Sequence, residues 1–345
     1  MVANNYTGKK SRFCKSGLLH FIWRFYMNNE KLITIIIPTY NSALFFDETL
    51  RHLVEQTNSK FKVLVIDDNS TDKTAAIAKS FSKKLSIEII IKSNKVKKGA
   101  AASINLALQK VNTKYFGLID SDAYLHRNWV EEMLRLLPKR KIVGAPIFAL
   151  KDAGIIAYVC GLEIEARYDR LKKGQLHHLS TCNLAGRAEL IKLINLDESL
   201  DYAYDHQLSF QLKKENVFFF LTKKTFCHHV NKGGLLNFFK QQFKIAKYHA
   251  FLSKKMKKEA LQGDEISPNY LILQPIFLFF SVIFLFFNLW VSAIFFIVIL
   301  FLNVYFIIYV IKKYFFYFPM TLFLIVIKNL AWICGACVGI MKKNI

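Results

Sequence analysis

Acidic residues are scarce in this chain and vanish towards its end. Twenty-five Asp and Glu stand against 48 Lys and Arg, and no acid follows Glu265. Between Tyr270 and Ile311 there is no charge of either sign. A bilayer core needs roughly 20 apolar residues per helix. Two spans therefore fit into 270–311, with a break near Asn288 to Ser292, and a third apolar segment runs from about Phe315 to Ile340. Lys328 and Asn329 interrupt the third, and a lysine at mid-depth is costly unless shielded or paired. This segment is expected to be re-entrant or packed against the other two. A glycine-rich phosphate loop is also missing. No G-x-G-x-x-G follows any strand, which argues against a dinucleotide oxidoreductase.

Zinc-finger and RNA-binding spacings are absent too, although the net charge is +23. The surplus lysines gather beside the apolar segments instead: Lys240, Lys244, Lys247, Lys254, Lys255, Lys257 and Lys258 before them, Lys312 and Lys313 after the second. That placement suits anionic headgroups and the positive-inside rule, so a membrane is the expected partner and nucleic acid is not. The six cysteines make no metal pattern, and scattered thiols fit a reducing, cytoplasmic setting for the soluble part. Gly335 and Gly339 form a G-x-x-x-G, a signal for close helix packing. Residues 1–31 read as a basic leader, with an interfacial helix as the other reading.

From residue 32 strands and helices alternate. The runs Leu32–Pro38, Lys62–Asp67, Ile87–Ile91 and Tyr115–Asp120 have the continuous apolar character of buried strands, and helices are expected at 43–57, 72–83, 99–111 and 128–137. This is an α/β pattern, a mainly parallel sheet covered on both faces. Ligands collect at the carboxyl ends of such strands, and Thr39–Asn41, Asp67-Asp68 and Asp120-Ser-Asp122 all fall there. Further on, helices are expected at 187–194 and near 206–214. Residues 235–258 repeat apolar positions at helical spacing (Leu235, Phe239, Phe243, Ala246, Ala250), the pattern of an amphipathic helix on a membrane surface or of an ordinary core-facing helix.

Carboxylates suit a hard divalent cation, and such a cation neutralises a departing diphosphate. Two acids capping a loop would also explain Asp120-Ser-Asp122 alone. The ordered set of motifs says more. Ile36-Ile-Pro-Thr-Tyr-Asn41, Val65-Ile-Asp-Asp-Asn-Ser-Thr-Asp72, Asn94 through Gly99 to Asn105, Leu118-Ile-Asp-Ser-Asp122, Asn183 with Arg187, and Leu196–Leu200 followed by Tyr204-Asp205 together resemble the glycosyltransferase family 2 enzymes of GT-A fold, over about 32–232. The resemblance implies a nucleotide-sugar donor (a UDP- or GDP-sugar) held by Pro38, Thr39, Tyr40, Asp67 or Asp68, Gly99, Asp120, Asp122, Asn183 and Arg187. It implies Mg²⁺ or Mn²⁺ on Asp122 with Asp120, a diphosphate or metal contact from His229, and Asp205 as the base of an inverting displacement. The family's glutamate before that base is Tyr204 here, its acid two residues beyond is Gln207, and its arginine before Asn105 is Ile104.

The expected organisation is a GT-A domain at 32–234, an interfacial helix and linker at 235–268, and a membrane region at 269–345 with the catalytic domain on the cytoplasmic side. Gln241-Gln242-Phe-Lys-Ile245 faintly resembles the Q-x-x-R-W segment of processive synthases, but few apolar segments follow. Transfer of one sugar to a lipid-linked acceptor, a polyprenyl phosphate or a lipid-linked glycan, fits better. Two alternatives stay open: another nucleotide-dependent transferase, or a non-catalytic membrane scaffold that keeps the fold.

Overall fold

The computed structural model describes residues 30–84, 89–151, 154–231, 233–256, 265–266 and 269–341. The basic leader to residue 29, and Lys257, Lys258, Lys342 and Lys343, lie outside the described residues.

The parallel core follows the apolar runs. Strand β1 (Ile33–Thr39) pairs in parallel with β2 (Phe61–Asp67) and β4 (Tyr115–Ile119), and β2 with β3 (Ile89–Ser93). Every residue of β2 and β4 is buried, because α1 (Ala43–Val54), α2 (Thr74–Lys84) and α3 (Ala100–Leu108) cover the faces of the sheet. Beyond β4 come β5 (Ala123–Leu125), α4 (Trp129–Leu136), β6 (Ile142–Gly144), β7 (Ile147–Ala149), α5 (Ile155–Arg170), β8 (Gly174–Leu176), β9 (Asn183–Arg187), α6 (Tyr204–Lys214), β10 (Phe219–Leu221) and β11 (Cys227–His229). The large sheet has the order β3-β2-β1-β4-β9-β6-β10-β8, and β5-β11-β7 form a second, small sheet. The helix expected at 187–194 is a short 3₁₀ segment, Ala188–Leu193, preceded by β9. That strand runs antiparallel to β4, so Asn183 pairs with Ile119 and Arg187 with Tyr115.

The carboxy-terminal region departs from the sequence expectation. Helices α8 (Leu273–Phe284) and α9 (Leu289–Leu302) occupy the place of the two spans. At 1.5 Å per residue they reach roughly 18 and 21 Å, short of a ~30 Å core, so neither is a full span. Asn288 breaks the chain and caps α9, its Oδ1 accepting from the Trp290 and Val291 amides. Ser281 and Ser292 close the hairpin, each hydroxyl donating to the other's carbonyl at 3.0 and 2.7 Å. The tip exposes Phe286, Phe287, Leu289 and Trp290. Helix α10 (Val304–Tyr314) and helix α11 (Phe318–Met341) follow, and among the described residues Val304–Met341 is one helical stretch long and apolar enough to cross a membrane.

The amphipathic helix α7 (Leu235–Met256) does not offer its whole apolar face to a membrane surface; α11 covers much of it. Ala246 and Phe251 are buried, and Gly335 and Gly339 of α11 sit against the Phe243 and Lys247 carbonyls. A Cβ at Gly335 would also lie 3.0 Å from Ala246 Cβ. The G-x-x-x-G therefore packs on this helix. Gly335→Val should destabilise the fold by about 1–3 kcal/mol through overpacking. The check is a denaturant-unfolding midpoint measured in detergent against an exposed Val338→Ala control.

Candidate active site

Three chain segments converge past the ends of β1, β2 and β4. Residues 120–122 leave β4 and enter β5, where Ala123 pairs with His229 of β11 and the Val230 amide donates to the Asp122 carbonyl at 3.0 Å. This small sheet brings an imidazole from a hundred residues away onto the acidic pair. His229 Nε2 lies 3.3 Å from Asp122 Oδ1 and 3.5 Å from Asp120 Oδ2. The neighbouring His228 sits at the alternate strand position and meets the Ala149 carbonyl instead. Ser121 anchors the turn: its hydroxyl meets that of Ser42 at 2.7 Å, and its carbonyl accepts from Thr49 Oγ1 at 2.7 Å.

Burial alone would strip the charge from His229, but Asp122 and Asp120 more than reverse that and raise its pKa well above the ordinary value. Burial raises Asp120, which His229 partly opposes, while the negative charges of Asp122 and Asp205 add to the rise. Two carboxylates facing one half-buried ring need a positive charge among them, and in the metal-free protein the imidazolium supplies it. A divalent cation would meet the same need, with two carboxylate oxygens and one imidazole nitrogen as hard and borderline donors. Cys182 Sγ lies within 4.8 Å of the Asp120 and His229 ligand atoms. Contact with Cys227 and then burial push its thiol well above the usual range in the metal-free protein, and a soft sulfur suits a hard divalent cation less well than carboxylate oxygen does. Two carboxylates and an imidazole make a donor set that a divalent cation would suit.

A pH dependence follows from this competition. The folded value of His229 is raised above 6.5, so its ion-pair stabilisation is complete below about pH 6.5 and lost as pH climbs through the raised value. A metal must displace the same proton. Mn²⁺ affinity should therefore rise with pH by about tenfold per unit below the raised value, then level. Calorimetric titration at a series of pH values checks this, and His229→Gln should flatten the slope while weakening binding.

The expected donor-site residues divide. Pro38 and Thr39 end β1, Thr39 Oγ1 donating to Asp67 at 3.4 Å, and Tyr40 beyond them is exposed with the Lys97 ammonium 3.9 Å over its ring. Asp68 is engaged by its neighbours: it accepts from Asn94 Nδ2 (2.7 Å), the Lys98 amide (2.8 Å) and the Gly99 amide (2.7 Å). Gly99, at φ +95°, makes that approach and opens α3. Asp67 accepts only longer bonds, both 3.4 Å, from Thr39 and the Ser70 amide. Of the two acids, Asp67 keeps more capacity for a base.

Asn183 and Arg187 are corrections. Asn183 is buried, with Oδ1 accepting from Trp129 Nε1 and Nδ2 donating to the Ala145 and Pro146 carbonyls, so its hydrogen bonds are spent on the fold. Arg187 stands at the opposite end of β9, donating to the Leu137, Pro138 and Arg140 carbonyls. The antiparallel course of β9 carries it away from the strand ends where the acids gather.

Asp205 is the second residue of α6. Ala203, at φ +65°, turns the chain so that Tyr204 and Asp205 enter a cavity of about 1170 Å³ that Asp120 also lines. Tyr204 hydrogen-bonds Thr181, and burial followed by the charges of Asp120 and Asp205 holds its phenol protonated. His178 lies behind: its Nδ1 meets Ser209 Oγ at 2.6 Å and its Nε2 is 4.0 Å from Asp205 Oδ2. Cys182, Thr181 and His178 escape the sequence reading because only the course of β9 brings their segment to the end of β4.

This is an α/β fold with an acidic pair and an imidazole at the sheet edge, and Asp120 shares one cavity with Asp205. Residues 34–194, just under half of the chain, match the family described as glycosyl transferase family 2, and the α/β domain has a GT-A-like fold. The chain is 33% identical over 135 residues (38% of this chain, 42% of the relative) to an uncharacterized glycosyltransferase of Haemophilus influenzae. It is 29% identical over 209 residues (54% and 61%) to one of Rickettsia typhi. It thus spans about half the length of these curated relatives. Among solved structures, the mannosyltransferase PcManGT of Pyrobaculum calidifontis, in complex with GDP-Man and Mn²⁺, superposes with a TM-score of 0.55 at 16% identity, covering 92% of this chain and 95% of that one. That likeness concerns the fold.

Proposed function

We propose that the protein is an inverting, metal-dependent glycosyltransferase that moves one sugar from a nucleotide-sugar to a lipid-linked acceptor at a membrane. The observation that carries the reading is the single cavity in which Asp120 and Asp205 share walls with the apolar helices α8 and α11. Asp67, Thr39 and Tyr40 would receive the nucleotide, with Asp68 and Gly99 setting the shape of their loop. Asp120, Asp122 and His229 would hold Mg²⁺ or Mn²⁺, whose charge favours departure of the diphosphate. The Pyrobaculum mannosyltransferase, in complex with GDP-Man and Mn²⁺, supports this class of donor and metal. Asp205 would accept the proton of an acceptor hydroxyl as its oxygen attacks the anomeric carbon, an in-line step that needs one base and inverts configuration.

Membrane association rests on the exposed aromatic tip of the α8–α9 hairpin and on the apolar Val304–Met341 stretch. The five described cysteines are free, which fits a reducing, cytoplasmic side for the catalytic domain. The transfer proposed is non-processive. The test is incubation of membranes containing the full chain with a panel of UDP- and GDP-sugars and Mn²⁺. The expected product has the anomeric configuration opposite to the donor's by NMR; retention would refute the single-displacement reading.

A further inference from the structure

The cavity beside Asp205 is mixed in character. Ile276, Phe279 and Phe280 of α8 and Ile333 and Ile340 of α11 give it apolar walls. Five charged side chains outside the catalytic set also line it: Asp201, Lys254, Glu163 and Arg167, the last two one turn apart on α5, and Lys328 on α11. Lys328 Nζ lies 2.8 Å from Glu163 Oε1, and Arg167 Nη2 donates to that same oxygen. Their side chains are 8%, 16% and 24% exposed for Lys328, Glu163 and Arg167.

Neutralising Lys328 on an apolar helix requires only one carboxylate. Here two cations share one oxygen, leaving a surplus positive charge and several N–H donors beside a mostly apolar wall. Burial would raise the Glu163 carboxyl, yet Lys328 and Arg167 hold it down at about 2, so the carboxylate stays ionised and the surplus is one. Guanidinium and ammonium together are a phosphate-binding pair. Helix α8, whose Ile276, Phe279 and Phe280 line the cavity, runs on to the exposed Phe286, Phe287 and Trp290 of the α8–α9 tip, a direction in which a hydrocarbon chain could reach the lipid phase.

We propose that Arg167 and Lys328 grip the phosphate of a lipid-linked saccharide acceptor, whose hydrocarbon chain lies along α8 and α11 and whose sugar hydroxyl reaches Asp205. This rests on the reading of the site as glycosyl transfer. Asp205 separates the grip from the nucleophile: a neutral hydroxyl needs a base, whereas a phosphate oxygen is already anionic. The hydroxyl oxygen forms a bond to the anomeric carbon and its proton passes to Asp205. The bond from that carbon to the donor's diphosphate breaks, its electron pair leaving on the diphosphate.

The experiment titrates the full chain in nonionic detergent with farnesyl phosphate, farnesol and inorganic phosphate, and separately with vesicles containing phosphatidic acid. Farnesyl phosphate should bind at least tenfold tighter than farnesol and inhibit transfer without itself being glycosylated. Lys328→Met should weaken it about tenfold, and Glu163→Gln should tighten it several-fold by releasing both cations. A purely structural ion pair would give weakening or no change in both variants, and that result overturns the proposal. So would equal binding of farnesol, equal competition by inorganic phosphate, Lys328-dependent binding of phosphatidic acid of the same strength, or glycosylation of farnesyl phosphate. Nucleotide-sugar with Mn²⁺ is titrated on the same samples. Donor binding without phosphate selectivity removes only this proposal, whereas loss of donor binding in the wild-type chain removes the glycosyl-transfer reading beneath it.

Discussion

Asp205→Asn is expected to lower kcat for sugar transfer by about 10²–10⁴, the usual contribution of a general base, while leaving donor affinity within about twofold. The substitution keeps the size of the side chain and an oxygen to accept from the His206 amide, as Asp205 Oδ1 does at 2.9 Å. What it removes is the ability to take a proton. Tyr204, one residue earlier, cannot substitute, because its phenol is held protonated beside Asp120 and Asp205. Steady-state kinetics with separate donor titration distinguish the outcomes. A fall in kcat with unchanged donor binding assigns the base. Equal loss of donor binding would make Asp205 part of the donor pocket instead.

Asp122→Ala should act on a different quantity. It removes the carboxylate at 3.3 Å from His229 Nε2 and half of the charge facing the metal position. A metal supplying several kcal/mol of charge stabilisation to the departing diphosphate corresponds to about 10³-fold or more in rate. Mn²⁺-dependent donor affinity should fall in the same variant, unlike Asp205→Asn. His229 would also lose the first of the charges that raise its pKa, so the pH dependence of metal binding should move to lower pH. Donor binding that remains Mn²⁺-dependent in Asp122→Ala would place the metal elsewhere.

The parallel half of the fold was readable because its central strands are buried on both faces and therefore spell apolar runs, as in Ile35–Ile37 and Val63–Ile66. The acids were readable because they end those runs. Asn183-Leu-Ala-Gly-Arg187 gives no such signal. It is a strand because β4 and β6 leave a place for it, and Gly186 fits there under the Phe116 ring, 2.6 Å from where a Cβ would sit. Missing that strand misplaced Arg187 and hid Cys182 and His178. Hydrophobic spacing identified α7 as amphipathic but could not say what covers it, since α11 lies some ninety residues later. Composition likewise marked 270–311 as apolar, while the length of each helix was decided by Asn288 and the serine pair of the hairpin.

The most direct measurement is calorimetric titration of nucleotide-sugar into the full-length protein, with and without Mn²⁺, for the wild type and for Asp122→Ala. Metal-dependent donor binding in the wild type that is lost in the variant is the expected result. Donor binding of equal strength in both proteins, indifferent to Mn²⁺, would contradict the assignment of Asp120, Asp122 and His229 as the metal-bearing donor site.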